Sequence, residues 1–166
     1  HAVAILKKRM ESDFAISKAG GYSGFYSRAH RFFEDEYGIE ISEEEKKGLF
    51  EKAENCLRVF YNSDIFMEIR RTSVEDWVTL EEFLSFDFEG VPVYLSVDFA
   101  MWKDGKLVLF DWKTGKERRA DYRLQLGLYA LYFAEKFGVL PEQIEAKMFY
   151  LALGLDGRLS RFCLRR

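Results

Sequence analysis

Apolar and polar positions change their spacing near residue 82, and the change separates a helical first half from a strand-rich second half. Phe25, Ala29, Phe32 and Phe33 share one side at helical spacing, which predicts a helix over about 24–37 with Gly38 as its stop. Ser42 followed by Glu45 fits a capping box, and Leu49, Ala53, Cys56, Leu57 and Phe60 continue as a second helix. Between Ile65 and Trp77 the pattern fits neither period cleanly, and some strand content is expected there.

From Glu82 the spacing is that of strands. Residues 83–88 alternate, Glu89-Gly90 signals a turn, and 92–102 forms a second strand with Pro92 tolerated at its start. Asp104-Gly105 is the dipeptide favoured in two-residue hairpins, so a third strand follows over 107–112. Gly115 breaks it. Residues 118–137 read as a long helix, apolar nearly all round and hence largely buried, closed by Gly138 and Pro141. Strands over 146–153 and 158–164 finish the chain around a turn at Gly154–Gly157. The order predicts one α/β domain over residues 1–166, a central mixed β-sheet with α-helices on both sides. A first residue of His rather than Met fits a piece of a longer protein.

Composition narrows the classes. The 166 residues are 48% apolar and 17% aromatic, which argues for a packed core and against disorder. No apolar run approaches the roughly 20 residues that span a bilayer, and the N-terminus lacks a secretory signal. No membrane association and a cytoplasmic location are therefore expected. Two cysteines, Cys56 and Cys163, cannot build a Cys-rich zinc or iron–sulfur site by themselves.

A net charge of −3 argues at first against a nucleic-acid binder. Its distribution changes that. Residues 1–33 hold six basic and two acidic side chains, 34–97 six and seventeen, and 98–166 thirteen and nine. The acid excess lies in the middle, between two basic flanks.

The predicted hairpin carries the chemistry. Counting outward from Asp104-Gly105 pairs Lys103 with Lys106 and sets Asp98 opposite Asp111, with Cβ atoms about 5 Å apart. Lys113 points to the same face as Asp111, because strands have period two. Facing carboxylates among Val97, Phe99, Leu109, Phe110 and Trp112 repel unless a shared proton, Lys113 or a divalent cation offsets them. Mg²⁺ prefers such oxygens, and a lysine beside it can orient a water and stabilise charge on phosphate. A surface ion pair is the competing reading of Asp111 and Lys113.

Asp98, the step to Asp111-Trp112-Lys113, and a helix bearing Gln125-Leu-Gly-Leu-Tyr129 together resemble the PD-(D/E)XK nuclease superfamily, most closely its RecB-like branch. That branch includes helicase-associated, CRISPR-associated and mitochondrial genome maintenance exonucleases. The resemblance covers about residues 82–137. It implies a restriction-endonuclease-like core and a metal-dependent deoxyribonuclease. Asp98 and Asp111 match the family's metal-binding acids, Lys113 its catalytic lysine, and the Trp112 carbonyl a further metal ligand. Gln125 and Tyr129 match the helix motif beside the active site, where they would help place substrate; an ordinary core role for Tyr129 stands beside that. His30, six residues after Gly24, matches a metal-ligating histidine at a looser spacing than the family's, against the alternative of a solvated or core-packed histidine. By the same resemblance, the segment before the histidine helix reads as shorter than the family's, and no helicase portion like that of the fused relatives is expected within these residues.

Lys116, Arg118, Arg119 and Arg123 follow Lys113 closely and could contact phosphates, with Arg165 and Arg166 extending the patch. Tyr22, Phe25, Tyr26 and Tyr122 could stack on bases. Glu81 and Glu82 read as a solvated strand edge, or as one more carboxylate at the site.

The expectation is a Mg²⁺- or Mn²⁺-dependent exonuclease without an iron–sulfur cluster. It would act on DNA that is single-stranded or has a free end, in repair, recombination or defence, with a helicase or other DNA-processing protein as a possible partner. The alternatives are a non-catalytic nucleic-acid-binding module of the same fold and a nuclease subunit active only within a helicase complex.

Overall fold

Asp104 and Gly105 take left-handed backbone angles, φ of 50° and 73°, as a two-residue turn between right-twisted strands requires. In the computed structural model, which describes residues 1–20, 31–115, 122–153 and 158–163, this turn joins β2 (Val91–Lys103) to β3 (Lys106–Lys113). The register is the one the turn predicts. Lys103 pairs with Lys106, and the ladder runs back to Phe99 opposite Phe110.

Among the described residues the sheet has five strands in the order β1-β2-β3-β4-β5. β1 (Trp77–Phe88) pairs antiparallel with β2, and β3 runs parallel to β4 (Ile144–Tyr150). β5 (Arg158–Cys163) returns antiparallel on β4. A parallel neighbour needs a long crossover, and here α5 (Tyr122–Phe137) lies in it. The sheet is therefore mixed, as expected.

Chain contacts divide the molecule into two compact units, residues 1–58 and 59–166. The first contains α1 (Ala2–Lys18), α2 (Phe33–Glu36) and most of α3 (Glu43–Tyr61). The Ser42–Glu45 capping box forms: the Glu45 carboxylate accepts from the Ser42 N–H at 2.8 Å, and Ser42 Oγ accepts from the Glu45 N–H at 3.2 Å. Ser17, almost fully buried, accepts the Phe32 N–H at 2.7 Å and donates to Asp35, tying α2 to α1. Of the helix expected over 24–37, residues 24–30 lie outside the described residues, and the remainder holds only α2. Gly38 ends it at φ 69°.

The second unit holds the sheet and its covering helices. Leu107 and Leu109 of β3, Ala146 and Met148 of β4, and Leu126, Ala130 and Phe133 of α5 pack into one core layer. Full burial of each large apolar side chain stabilises by roughly 1.5–3 kcal/mol. The other face is aromatic: Phe110 stacks on Trp112, which also meets Phe60 and Phe149. On that side Glu68 of α4 (Asp64–Arg71) pairs with Lys103 at 3.1 Å and with the buried Lys147 at 3.6 Å. Helices thus cover both faces.

Four expectations need correction. Residues 64–71 are helical rather than strand. Ser63 caps that helix by accepting from the Phe66 N–H, and Ile65 and Ile69, four apart, share its buried side. β1 starts at Trp77, six residues before the alternation at Phe83 begins. α5 is not buried all round, since Leu124 is 72% exposed and Leu131 also faces solvent. β4 ends at Tyr150, and residues 151–153 form a turn of 3₁₀ helix.

Candidate active site

The side of β3 that carries Leu107 and Leu109 into the core continues, two residues at a time, to Asp111 and Lys113. Over these two residues lies the first half of α5. Gln125 and Tyr129, four apart, share one helix face, and that face is turned to β3. The Gln125 amide donates from Nε2 to Asp111 Oδ1 at 2.8 Å, while its carbonyl accepts from Lys113 Nζ at 3.2 Å. One side chain thereby bridges Asp111 and Lys113. Lys113 Nζ also stands 2.6 Å from Asp111 Oδ2 and 4.9 Å above the Tyr122 ring.

Asp111 is 1% exposed. Its Oδ2 has ion-pair contact with Lys113 but no hydrogen bond of good geometry. A buried carboxyl oxygen without a hydrogen bond is costly unless a positive charge stands against it, and among the described residues Lys113 is the one within reach.

Tyr129 is buried as well. Its hydroxyl accepts from Gln125 Nε2 at 2.5 Å and donates to the backbone carbonyl of Ser96. Burial pushes the phenol far above its ordinary pKa. It stays protonated and ties α5 to β2.

Asp98 arrives differently from expectation. Leu95 and Val97 belong to the α5-side core and so does Ala100, yet Phe99 packs against Trp77 and Phe110 on the opposite face. The alternation slips by one at Asp98. On β1 the matching irregularity is Glu81, whose φ is 53°; Leu80 pairs with Phe99 and Glu82 with Val97 on either side of it. The β2–β3 ladder stops at Phe99–Phe110, and beyond it Asp98 Oδ2 accepts the Trp112 N–H at 2.7 Å. The simple picture of Asp98 and Asp111 facing each other on one sheet side is therefore replaced. The two acids act on each other's charge where the strands part, and Asp98 is held there by the Trp112 N–H. Burial raises the Asp98 carboxyl to about 6, against the hydrogen bond from Trp112; Asp111 and Glu81 push it further up, and Lys113 pulls it down.

Asp98, Asp111, Lys113, Gln125 and Tyr129 are thus brought into one site, with Trp112 beside them. His30, Lys116, Arg118 and Arg119 lie outside the described residues, as do Tyr22, Phe25, Tyr26, Arg165 and Arg166. Arg123 is exposed, and Tyr122 is half-buried beneath Lys113. Glu82 is exposed and accepts from Thr79 Oγ1 at 2.8 Å, while Glu81 acts on Asp98 through its charge. The Ser96 carbonyl had no signal in the sequence, because a backbone acceptor carries none.

The donor set fits a divalent cation. It offers hard carboxylate oxygens, one of them a buried Asp111 oxygen without a hydrogen bond, and Mg²⁺ is commonly held by one or two carboxylates with waters completing its shell. Among the described residues no three His, Cys, Asp or Glu side chains group closely enough to hold a metal unaided.

Residues 27–160 match the family model of the PD-(D/E)XK nuclease superfamily. The chain belongs to that superfamily, whose members are generally phosphodiesterases, and its mixed sheet flanked by helices is the superfamily's fold. No curated protein matches the chain. No helix among the described residues is long and apolar enough to cross a membrane.

Proposed function

We propose that this protein is a divalent-metal-dependent DNA nuclease, and that Asp98, Asp111 and Lys113 carry the reaction. The observation that supports this most is the double hydrogen bond of Gln125, to Asp111 on one side and Lys113 on the other. A module that only binds nucleic acid has no use for a buried acid and a lysine held at fixed separation, since the acids repel phosphate.

In this reading Asp98, Asp111 and the Trp112 carbonyl hold Mg²⁺ or Mn²⁺, with His30 as a further ligand. When bound, the metal lowers the pKa of a water and offsets charge on the scissile phosphate. Lys113 orients the attacking water through its ammonium and stabilises the developing phosphorane charge. Gln125 positions Lys113 against Asp111, and Tyr129 fixes Gln125. Lys116, Arg118 and Arg119 contact backbone phosphates. Both compact units belong to one nuclease domain in this reading, because the family match runs across the boundary between them.

The finer assignment is the RecB-like branch, carried by the Gln125–Tyr129 pair on α5. It makes the enzyme an exonuclease that prefers single-stranded DNA or a free end, working in repair, recombination or defence in the cytoplasm beside a helicase or similar DNA-processing protein. The test is incubation of linear and circular DNA, single-stranded and duplex, with Mg²⁺ or Mn²⁺. Degradation of linear single strands with circles left intact supports the assignment; nicked or linearised circles make the protein an endonuclease.

A further inference from the structure

The outer half of the β1–β2 hairpin has one covered side and one bare side. Leu84, Phe86 and Val93 turn to the α5 core, and the opposite residues face solvent. On the bare side Phe83 is 74% exposed, Tyr94 63% and Leu80 57%. The Phe83 and Tyr94 rings stack 5.7 Å apart and within 12° of parallel. Ser96 opposite Phe83 and Ser85 opposite Tyr94 complete the face, both exposed. Large exposed rings are a liability on a sheet edge unless something covers them.

Charge says what would cover them. From Thr72 to Trp102 the sequence contains no Lys, Arg or His, while Glu75, Asp76, Glu81, Glu82, Asp87 and Glu89 are among its acids. Glu81 stands at the inner end of the bare strip and Asp87 near the outer end. Such a field repels a phosphate backbone at short range. It attracts cations, and a guanidinium can stack on an aromatic face while pairing with a neighbouring carboxylate. β1 is moreover an edge strand of the sheet among the described residues, and an edge strand can accept an extended segment by backbone hydrogen bonds.

We propose that the bare face of the β1–β2 hairpin is a docking surface for a protein partner, taken as an extended segment in which arginines alternate with aliphatic residues. Its arginines, all on one side of the extended segment, lie on the Phe83–Tyr94 platform between Glu81 and Asp87. The surface does not rest on the nuclease reading and is tested whether or not the chain cleaves DNA, although its inner carboxylate, Glu81, also acts on Asp98 through its charge.

The test measures fluorescence anisotropy of a short labelled peptide of alternating Arg and Val with the whole chain. A Glu–Val peptide and a labelled oligothymidine serve as parallel probes. The expected result is binding of the Arg–Val peptide alone, weakened about tenfold in the Phe83→Ala/Tyr94→Ala variant, retained in Tyr94→Phe, and reduced by salt. Circular dichroism shows that the double variant remains folded. The proposal is overturned if the wild type does not bind the Arg–Val peptide, or if the folded double variant binds it equally. Oligothymidine binding that depends on the two rings would assign the surface to nucleic acid instead. A wild-type dimer that the double substitution converts to monomer in sedimentation would assign it to a second copy.

Discussion

The Asp98 carboxylate accepts the backbone N–H of Trp112 at 2.7 Å, just beyond the last paired residues of β2 and β3. A side chain takes over where the ladder ends, and this joins the two strands that carry the candidate metal-binding acids. The same bond keeps an acid within reach of Asp111 although burial and neighbouring charge disfavour its ionised form.

The raised Asp98 carboxyl makes stability depend on pH. Its value of about 6 lies above the ordinary 3.8, so the folded state holds this proton more tightly than the unfolded chain. The stabilisation is complete below the ordinary value and is lost as pH rises through about 6. In metal-free protein, Asp98→Asn is expected to raise the melting temperature at about pH 7.5 and to gain little or nothing near pH 4, because Asn keeps an acceptor for the Trp112 N–H. Thermal melts in a chelator across that range check it; a gain that does not change with pH would contradict it.

Metal binding follows the opposite sense. A cation needs ionised carboxylates, so the thermal shift produced by Mg²⁺ should grow between about pH 5 and pH 7. It should vanish in Asp111→Asn. Calorimetric titration at two pH values provides a second reading.

Gln125→Ala leaves Asp111 Oδ1 and Lys113 without their shared partner. The expectation is a fall in kcat of about tenfold or more with little change in KM, since binding of the DNA backbone is left to other residues. Losing a buried partner also destabilises by roughly 1–3 kcal/mol. Tyr129→Phe, which removes the donor to Ser96, should cost about 1 kcal/mol and reduce kcat less. Steady-state kinetics beside denaturant melts separate the two effects; a change confined to KM would count against the positioning role.

Gly105 at φ 73° and Asp104 at φ 50° set the register that brings β3 to β2. Gly105→Val is expected to destabilise the fold by about 1–2 kcal/mol and to reduce any nuclease activity with it. Gly115→Ala, at a glycine without positive φ or crowding, should be close to neutral in stability. Chemical denaturation of the two variants makes the comparison.

Local signals were legible in the sequence. The Asp104-Gly105 turn, the Ser42–Glu45 capping box and the placement of Asp111 and Lys113 on one face each depend on residues close together in the chain. α1 was not, because its apolar residues, including Ala2, Val3, Ile5 and Leu6, lie on several sides and give no clear stripe. α4 is only eight residues long, too short for its period to stand out from a strand's. The slip at Asp98 depends on Glu81 in a neighbouring strand adopting a left-handed angle, and an alternating pattern read along one strand cannot contain that. Gln125 was legible as an odd polar residue among leucines; its two partners required the fold.

The most direct test of the central claim is cleavage of end-labelled linear DNA, single-stranded and duplex, by the purified chain with Mg²⁺ or Mn²⁺, beside Lys113→Ala and Asp111→Ala. The account predicts metal-dependent hydrolysis by the wild type and a loss of at least about a hundredfold in each variant. No cleavage by the wild type, or equal cleavage by all three proteins, would contradict it.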